Sequence, residues 1–248
     1  MKGFLPVFKR ELLSFFVTPV AWVTITAFLL IEGLYFYYVV SHFAAQPGLA
    51  VQTGPVEMFF GQSILAYLPL LLVCPVLTMR LFAEERRSGT IEPLLTAPVD
   101  AAAVVLGKYL AVLVAYCAMW LPTLLYCWLA SQDGYVDWNV VGACYLAVLG
   151  VGAGYLAIGT LTSALTQSQL TAAIVSTMAI VGLFILGIGE FILPEGSGRE
   201  LCAYVSVWSQ MNDFSRGVVD SRRLIFDASV TIVPLFFTVR VVESWRTE

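Results

Sequence analysis

The chain has 248 residues, 59% of them apolar and only 12% charged, with a net charge of −4 and a mean hydropathy of +0.85. A soluble domain carries about 45–50% apolar and about 25% charged residues, so too few polar groups remain to cover a water-facing surface, and the long apolar runs point to lipid as the solvent. The acidic balance argues against a nucleic-acid partner, because phosphate binding needs a basic surface.

A helix is predicted over residues 3–17. Phe4, Leu5, Phe8, Leu12, Phe15 and Phe16 fall on one arc, about 120° wide on a helical wheel. Lys2, Lys9, Arg10, Glu11 and Ser14 fall elsewhere, with Val7 and Leu13 as exceptions. The pattern fits an amphipathic helix lying at the membrane surface; the plainer reading is the polar start of the first span. The apolar run behind Lys2, Lys9 and Arg10 is far longer than the core of a signal peptide, and no small-residue cleavage site follows, so no cleavable signal is expected.

A helical span needs about 20 apolar residues to cross about 30 Å of hydrocarbon. Six segments qualify: Pro19 to Val40, Met58 to Met79, Ala101 to Ala130, Val140 to Leu165, Leu170 to Ile188 and Leu224 to Val242. The first carries Glu32 near its middle. A charge there costs about 2.5–3.5 kcal/mol on insertion scales, so Glu32 should face protein, pair or be protonated; a structural hydrogen bond and a place on a transport path both remain open. The second span contains Pro69 and Pro75, the third Pro122, the sixth Asp227 and Pro234. Lys108, near the start of the third, is expected to snorkel to the surface. Gly150 and Gly154 of the fourth have the G-x-x-x-G spacing of close helix packing, with a partner helix in the same or another chain.

Lys and Arg are unevenly placed. Lys2, Lys9, Arg10, Arg80, Arg86, Arg87, Lys108, Arg240 and Arg246 would lie on one side, against Arg199, Arg216, Arg222 and Arg223 on the other. The positive-inside rule then makes both termini cytoplasmic, and an even number of spans agrees.

Catalytic signatures are missing. There is no G-x-x-x-x-G-K-[ST] phosphate loop. His42 is the only histidine, which excludes H-E-x-x-H and leaves little for a Ser-His-Asp triad. Cys74, Cys117, Cys127, Cys144 and Cys202 include no C-x-x-C pair, so they read as small apolar residues, without a metal site or disulfide framework. No catalytic residue and no metal ligand is assigned.

Two polar stretches stand out. In residues 80–100, Glu84, Glu85, Arg86 and Arg87 directly follow a span. Ser88 and Gly89 break the helix, and Thr90 can cap a new one with Glu92 and Pro93 in its first turn. Leu94 and Leu95 follow, Pro98 ends it, and Asp100 can cap the next span. The result is a short cytoplasmic helix with mixed apolar and charged groups, suited to the groove of a soluble partner; a solvated loop with self-paired charges is the alternative. Residues 189–223 are too long and too aromatic for a simple connection, and suit short helices buried in the outer interface, where Trp and Tyr favour that depth. At helical spacing Arg216 and Asp220 can pair, and Phe214 and Val218 can pack on the bundle.

The run EERRSGTIEPLLTAPV, followed by Leu106-Gly107-Lys108, resembles the permease subunits of ABC exporters of the ABC-2 family. The ending MNDFSRGVVDSRR and the closing VRVVESWR are similar to the gliding-motility-associated subgroup, with the copper-related permeases of the nitrous oxide reductase system as relatives. The resemblance implies one transmembrane domain over 1–248, all-α and laid out like a type V ABC exporter. It would have an interfacial helix (1–18), six transmembrane helices, a cytoplasmic coupling helix (80–100) and a re-entrant outer helical hairpin (189–223).

Carried over, Glu84, Glu85, Arg86, Arg87, Gly89, Thr90, Glu92, Leu94, Leu95 and Pro98 would contact the ATPase, and Phe214, Arg216, Gly217 and Asp220 would belong to the outer hairpin. Pro93 departs from the aliphatic residue common there and should stiffen the helix. The implied partners are two copies of a cytoplasmic ATPase, which would bind ATP and Mg, and a second permease chain forming a homodimer or heterodimer. An accessory membrane or periplasmic protein is a further candidate. The implied location is the bacterial inner membrane. Rivals are a non-transporting component of a motility or secretion apparatus and a membrane-embedded enzyme.

The topology is testable with single cysteines and an impermeant thiol reagent in a background lacking Cys202. Ser197→Cys should label from outside intact cells and Ser88→Cys only after permeabilisation; the opposite pattern would overturn the orientation.

Overall fold

The computed structural model describes residues 3–45, 54–61, 63–89, 99–132 and 136–245. Among them all regular structure is helical, and six helical stretches are long and apolar enough to cross a membrane: Pro19–Ala45, Ile64–Ser88, Ala101–Ser131, Trp138–Leu165, Gln169–Ile192 and Ser221–Ser244. The protein is a multi-pass membrane protein. The second, third and fourth spans form its buried centre, while the first, fifth and sixth expose most of their apolar surface, as lipid permits.

Helix α1 (Phe4–Val17) ends where Thr18 turns extended before Pro19, a position where proline disfavours helical backbone. Helix α2 (Pro19–Ala45) is the first span. The face α1 turns toward the protein differs from the wheel reading. Val7 is its most buried residue and Glu11 is largely buried, whereas Leu5, Leu13 and Val17 are exposed. The cause is Gly107 of the third span, where a side chain would press on Val7 Cγ1 at 3.1 Å and on the α1 backbone at 3.4 Å. A glycine lets the helix pack this closely at Val7 without displacing it.

The second span is not one helix. Behind the short helix α3 (Pro55–Phe60), it consists of a 3-10 turn at Ile64–Ala66, α4 (Leu70–Thr78) and α5 (Ala83–Ser88). Pro69 sits at the α4 N-cap and Pro75 inside it, each lacking an N–H. At the second break Ser163 replaces the missing ladder bonds: its hydroxyl accepts from Phe82 N (3.1 Å) and Ala83 N (3.2 Å) and donates to Met79 O (3.1 Å). Non-helical backbone at such depth survives only when buried protein groups satisfy it.

The third span is α6 (Ala101–Trp120), with Asp100 at its N-cap, a 3-10 turn at Leu121–Thr123 that includes Pro122, and α7 (Leu124–Ser131). Helices α8 (Trp138–Leu165) and α9 (Gln169–Ile192) form the tight hairpin that the sequence predicts. Two short helices follow, α10 (Ser197–Val205) and α11 (Val207–Ser215), and then α12 (Ser221–Ser244). The pairing of α8 with α12 is the broadest in the fold. Gly150 faces Asp227 and Gly154 faces Val230, so the partner of the G-x-x-x-G face is in the same chain.

Gly159 of α8 approaches Thr78 so closely that a methyl there would lie 2.8 Å from the Thr78 Cβ. Gly159→Ala should therefore cost about 1–3 kcal/mol through overpacking, read as a lower melting temperature in detergent. An unchanged melt would show that the two helices part freely.

Candidate functional site

The charged end of the second span folds into the protein. Lys108, only 1% exposed, donates to Leu81 O at 2.8 Å and lies 3.0 Å from both Glu11 and Glu85. Arg10 bridges the same two carboxylates at 2.7 Å. Lys108 also sits 5.2 Å above the Phe82 ring. It does not snorkel to solvent, as the sequence suggests; three acceptors meet its ammonium where it lies. A buried charge survives when paired and hydrogen-bonded.

The neighbouring charges are also engaged. Gln169 of α9 donates to Glu84. Arg86 donates to Ala164 O at 3.0 Å and stacks 4.8 Å over Trp245. Arg87 and Gly89 face outward, and Gly89 closes α5 with φ +70°, where a side chain would be strained. The elbow of residues 79–89 thus touches α1, α6, α8, α9 and the end of α12. Thr90, Glu92, Leu94, Leu95 and Pro98, with Pro93, lie outside the described residues.

Burial alone would push the Glu11 carboxyl up, but the Lys108 ammonium and Arg10 guanidinium outweigh it and hold it below the ordinary carboxylate range.

Glu32 is fully buried, so it does turn into the protein. Neither carboxyl oxygen has a hydrogen-bond partner among the described residues. The nearby hydroxyls of Tyr35 and Tyr126 donate to Met58 O and Leu29 O instead.

At the opposite end, α10 folds back along α9, and α11 buries Val207, Gln210, Met211 and Phe214 against α8 and α3. Gln210 donates to the buried Asp227 at 2.7 Å. Arg223 pairs with Asp213 at 3.0 Å and donates to Ala203 O at 2.8 Å. The expected Arg216–Asp220 pair does not form: the helix ends at Ser215 because Gly217 adopts φ +77°. Arg216 reaches Glu57 at 3.5 Å, and Asp220 caps α12 by accepting from Arg222 N. Phe214 is buried, but Val218 is exposed.

The sequence profile described as ABC-2 family transporter protein covers residues 46–229. The chain belongs to the ABC-2 transporter family. As a member it is a membrane permease component of an ABC transporter. No curated protein matches the chain significantly. Sequence reasoning missed Glu11, Ser163, Gln210 and Asp227. Of these only Asp227, an acid inside an apolar run, gives a local signal.

Lys108→Met would leave Glu11 and Glu85 with Arg10 alone and should cost about 3–5 kcal/mol, as removing one partner of a buried pair does. A carboxyl with a depressed folded pKa adds stability that is full above its unfolded pKa and lost as pH falls through the folded one. The wild type should therefore lose this contribution only at acid pH, below about 4.3, and in the variant, where Arg10 alone opposes the burial of Glu11, that acid-side loss should be smaller. Thermal melts across a pH series check both; identical profiles would show that the cluster stabilises nothing.

Proposed function

We propose that this ABC-2 permease exports a substrate across the inner membrane, powered by a separate ATPase that docks on residues 84–98. The observation that carries the reading is the elbow. Its charged side chains are anchored to five helices, so a push on the adjoining segment is not absorbed locally. Arg87 and Gly89 supply an outward contact, and Thr90, Glu92, Leu94, Leu95 and Pro98 would be the further contacts that the family resemblance implies. Glu84, Glu85 and Arg86 would act as the inward anchors of that contact.

In this reading both termini are cytoplasmic, α1 is the interfacial helix, and the whole chain acts as one transmembrane domain. Two permease chains form the path and two ATPase subunits bind ATP and Mg; this chain supplies no catalytic group. The α10–α11 hairpin, with Phe214, Arg216, Gly217 and Asp220 at its end, is the re-entrant outer element. Glu32, buried without a partner, is a candidate point on the path. The 211–223 ending favours the gliding-motility-associated subgroup.

Purifying the chain from native membranes should recover an ABC ATPase. Arg87→Glu should leave the fold intact and reduce co-purified ATPase at least about tenfold, since losing a docked charge pair costs about 2–5 kcal/mol. Arg86→Gln, on an inward anchor, should keep the ATPase bound and change its turnover. Full ATPase recovery and wild-type turnover with both variants would overturn the docking assignment.

A further inference from the structure

A cavity of about 270 Å³ opens between α1, α2 and the elbow. That is room for an organic headgroup rather than a lone water, whose share is about 30 Å³. Its lining holds three cations, Arg10, Arg80 and Lys108, and three carboxylates, Glu11, Glu84 and Glu85. Four of these six neutralise one another as ion pairs in the Lys108 cluster. Arg80 and Glu84 remain. Arg80 has no ion pair or hydrogen bond among the described residues. Glu84 accepts only from the neutral amide of Gln169, which leaves its second oxygen open. Although four positions apart, the two do not pair with each other. The cavity therefore presents one uncompensated cation beside one uncompensated anion.

Below the charged part the lining turns apolar, through Phe15, Ala21 and Leu77 to Val76. Val76 also lines a second, almost wholly apolar groove of about 490 Å³ between α4 and α9. That groove runs from Ala173 to Val181 on α9, about 12 Å along the helix, against about 15 Å for the hydrocarbon of one leaflet. A charged chamber thus adjoins an acyl-sized groove.

We propose that these two spaces form a binding site for a phospholipid with a phosphoethanolamine headgroup. The Arg80 guanidinium would take the phosphate, the geometry arginine recognises best. The Glu84 carboxylate would take the primary ammonium, and one acyl chain would lie past Val76 against Ala173 and Met178. A zwitterion fits where a net anion does not, because the lining has no net charge. The leaflet concerned rests on the orientation proposed above; the binding itself does not.

Native mass spectrometry of the full-length chain in detergent, with palmitoyl-oleoyl phosphatidylethanolamine, phosphatidylglycerol and phosphatidylcholine offered separately, tests this. The ethanolamine lipid should be retained about tenfold more than the others, the worth of one charge-assisted contact. Arg80→Gln should lower its retention by a similar factor, and Glu84→Gln should abolish the preference over phosphatidylcholine. Ala173→Trp fills the groove on its lipid-facing side. It should weaken the diacyl lipid while leaving soluble phosphoethanolamine unaffected, and it serves as the test if Arg80→Gln misfolds. Equal retention of all three lipids, or retention untouched by Ala173→Trp, would overturn the site. Co-purified ATPase, measured on the same samples, reports separately on the docking assignment.

Discussion

A lysine ammonium with almost no access to water governs the architecture of the elbow end of this protein. An unpaired ion of that kind in an apolar interior costs several kcal/mol, so wherever Lys108 goes, acceptors must follow. They arrive from three places far apart in the chain: Glu11 on α1, Glu85 on α5 and the Leu81 carbonyl at the elbow. Meeting that one requirement fixes α1 against α6 and bends the second span at residues 79–82. It also turns the charged run inward. The adjacent Gly107 serves the same end sterically, since it lets α1 pack closely at Val7, one turn from Glu11.

The bend creates a second requirement, and Ser163 meets it. A helix interrupted inside an apolar protein leaves N–H and C=O groups that water cannot reach. One hydroxyl of α8 takes two of these donors and gives its proton to one acceptor. Arg86 then repeats the connection by bonding the last turn of α8 and stacking on Trp245. The elbow is thus a set of long-range polar contacts standing in for a local helix ladder, which makes it stiff although it is not regular.

The sequence makes some of this legible. Six spans are readable because lipid demands about 20 consecutive apolar residues with satisfied backbones, and that demand is local. The α8–α9 hairpin and the helix stop at Ser88–Gly89 are readable for the same reason. What escapes is pairing over distance. Glu11 and Lys108 are 97 residues apart, and on a wheel Glu11 looks like one more polar residue on a wet face. Lys108 near a span end looks ready to snorkel. Ser163 looks like a small residue in a Gly-rich helix. The Arg216–Asp220 expectation failed for a different reason: it assumed a helix continuing through Gly217, whose left-handed backbone ends it. Sequence spacing implies a pair only where the helix is continuous.

Helix α8 connects the two ends. On one side Ser163 and Ala164 hold the elbow. Gly159 then lies against Thr78, Gly152 against Tyr116, and Gly154 and Gly150 against Val230 and Asp227 of α12. At the far end Asp227 accepts from Gln210, a polar residue that α11 buries almost completely. At each glycine the neighbour meets backbone rather than a side chain that could swing aside. Close-packed interiors transmit strain because they have few voids to absorb it. The close packing along α8 therefore leaves little slack between it and α12. The Gln210–Asp227 bond ties α11 to α12, because breaking it would leave a buried carboxyl and a buried amide without partners. Glycine approach along α8 and polar satisfaction at its two ends are thus complementary: the first removes slack, the second ties the elbow to α8 and α11 to α12.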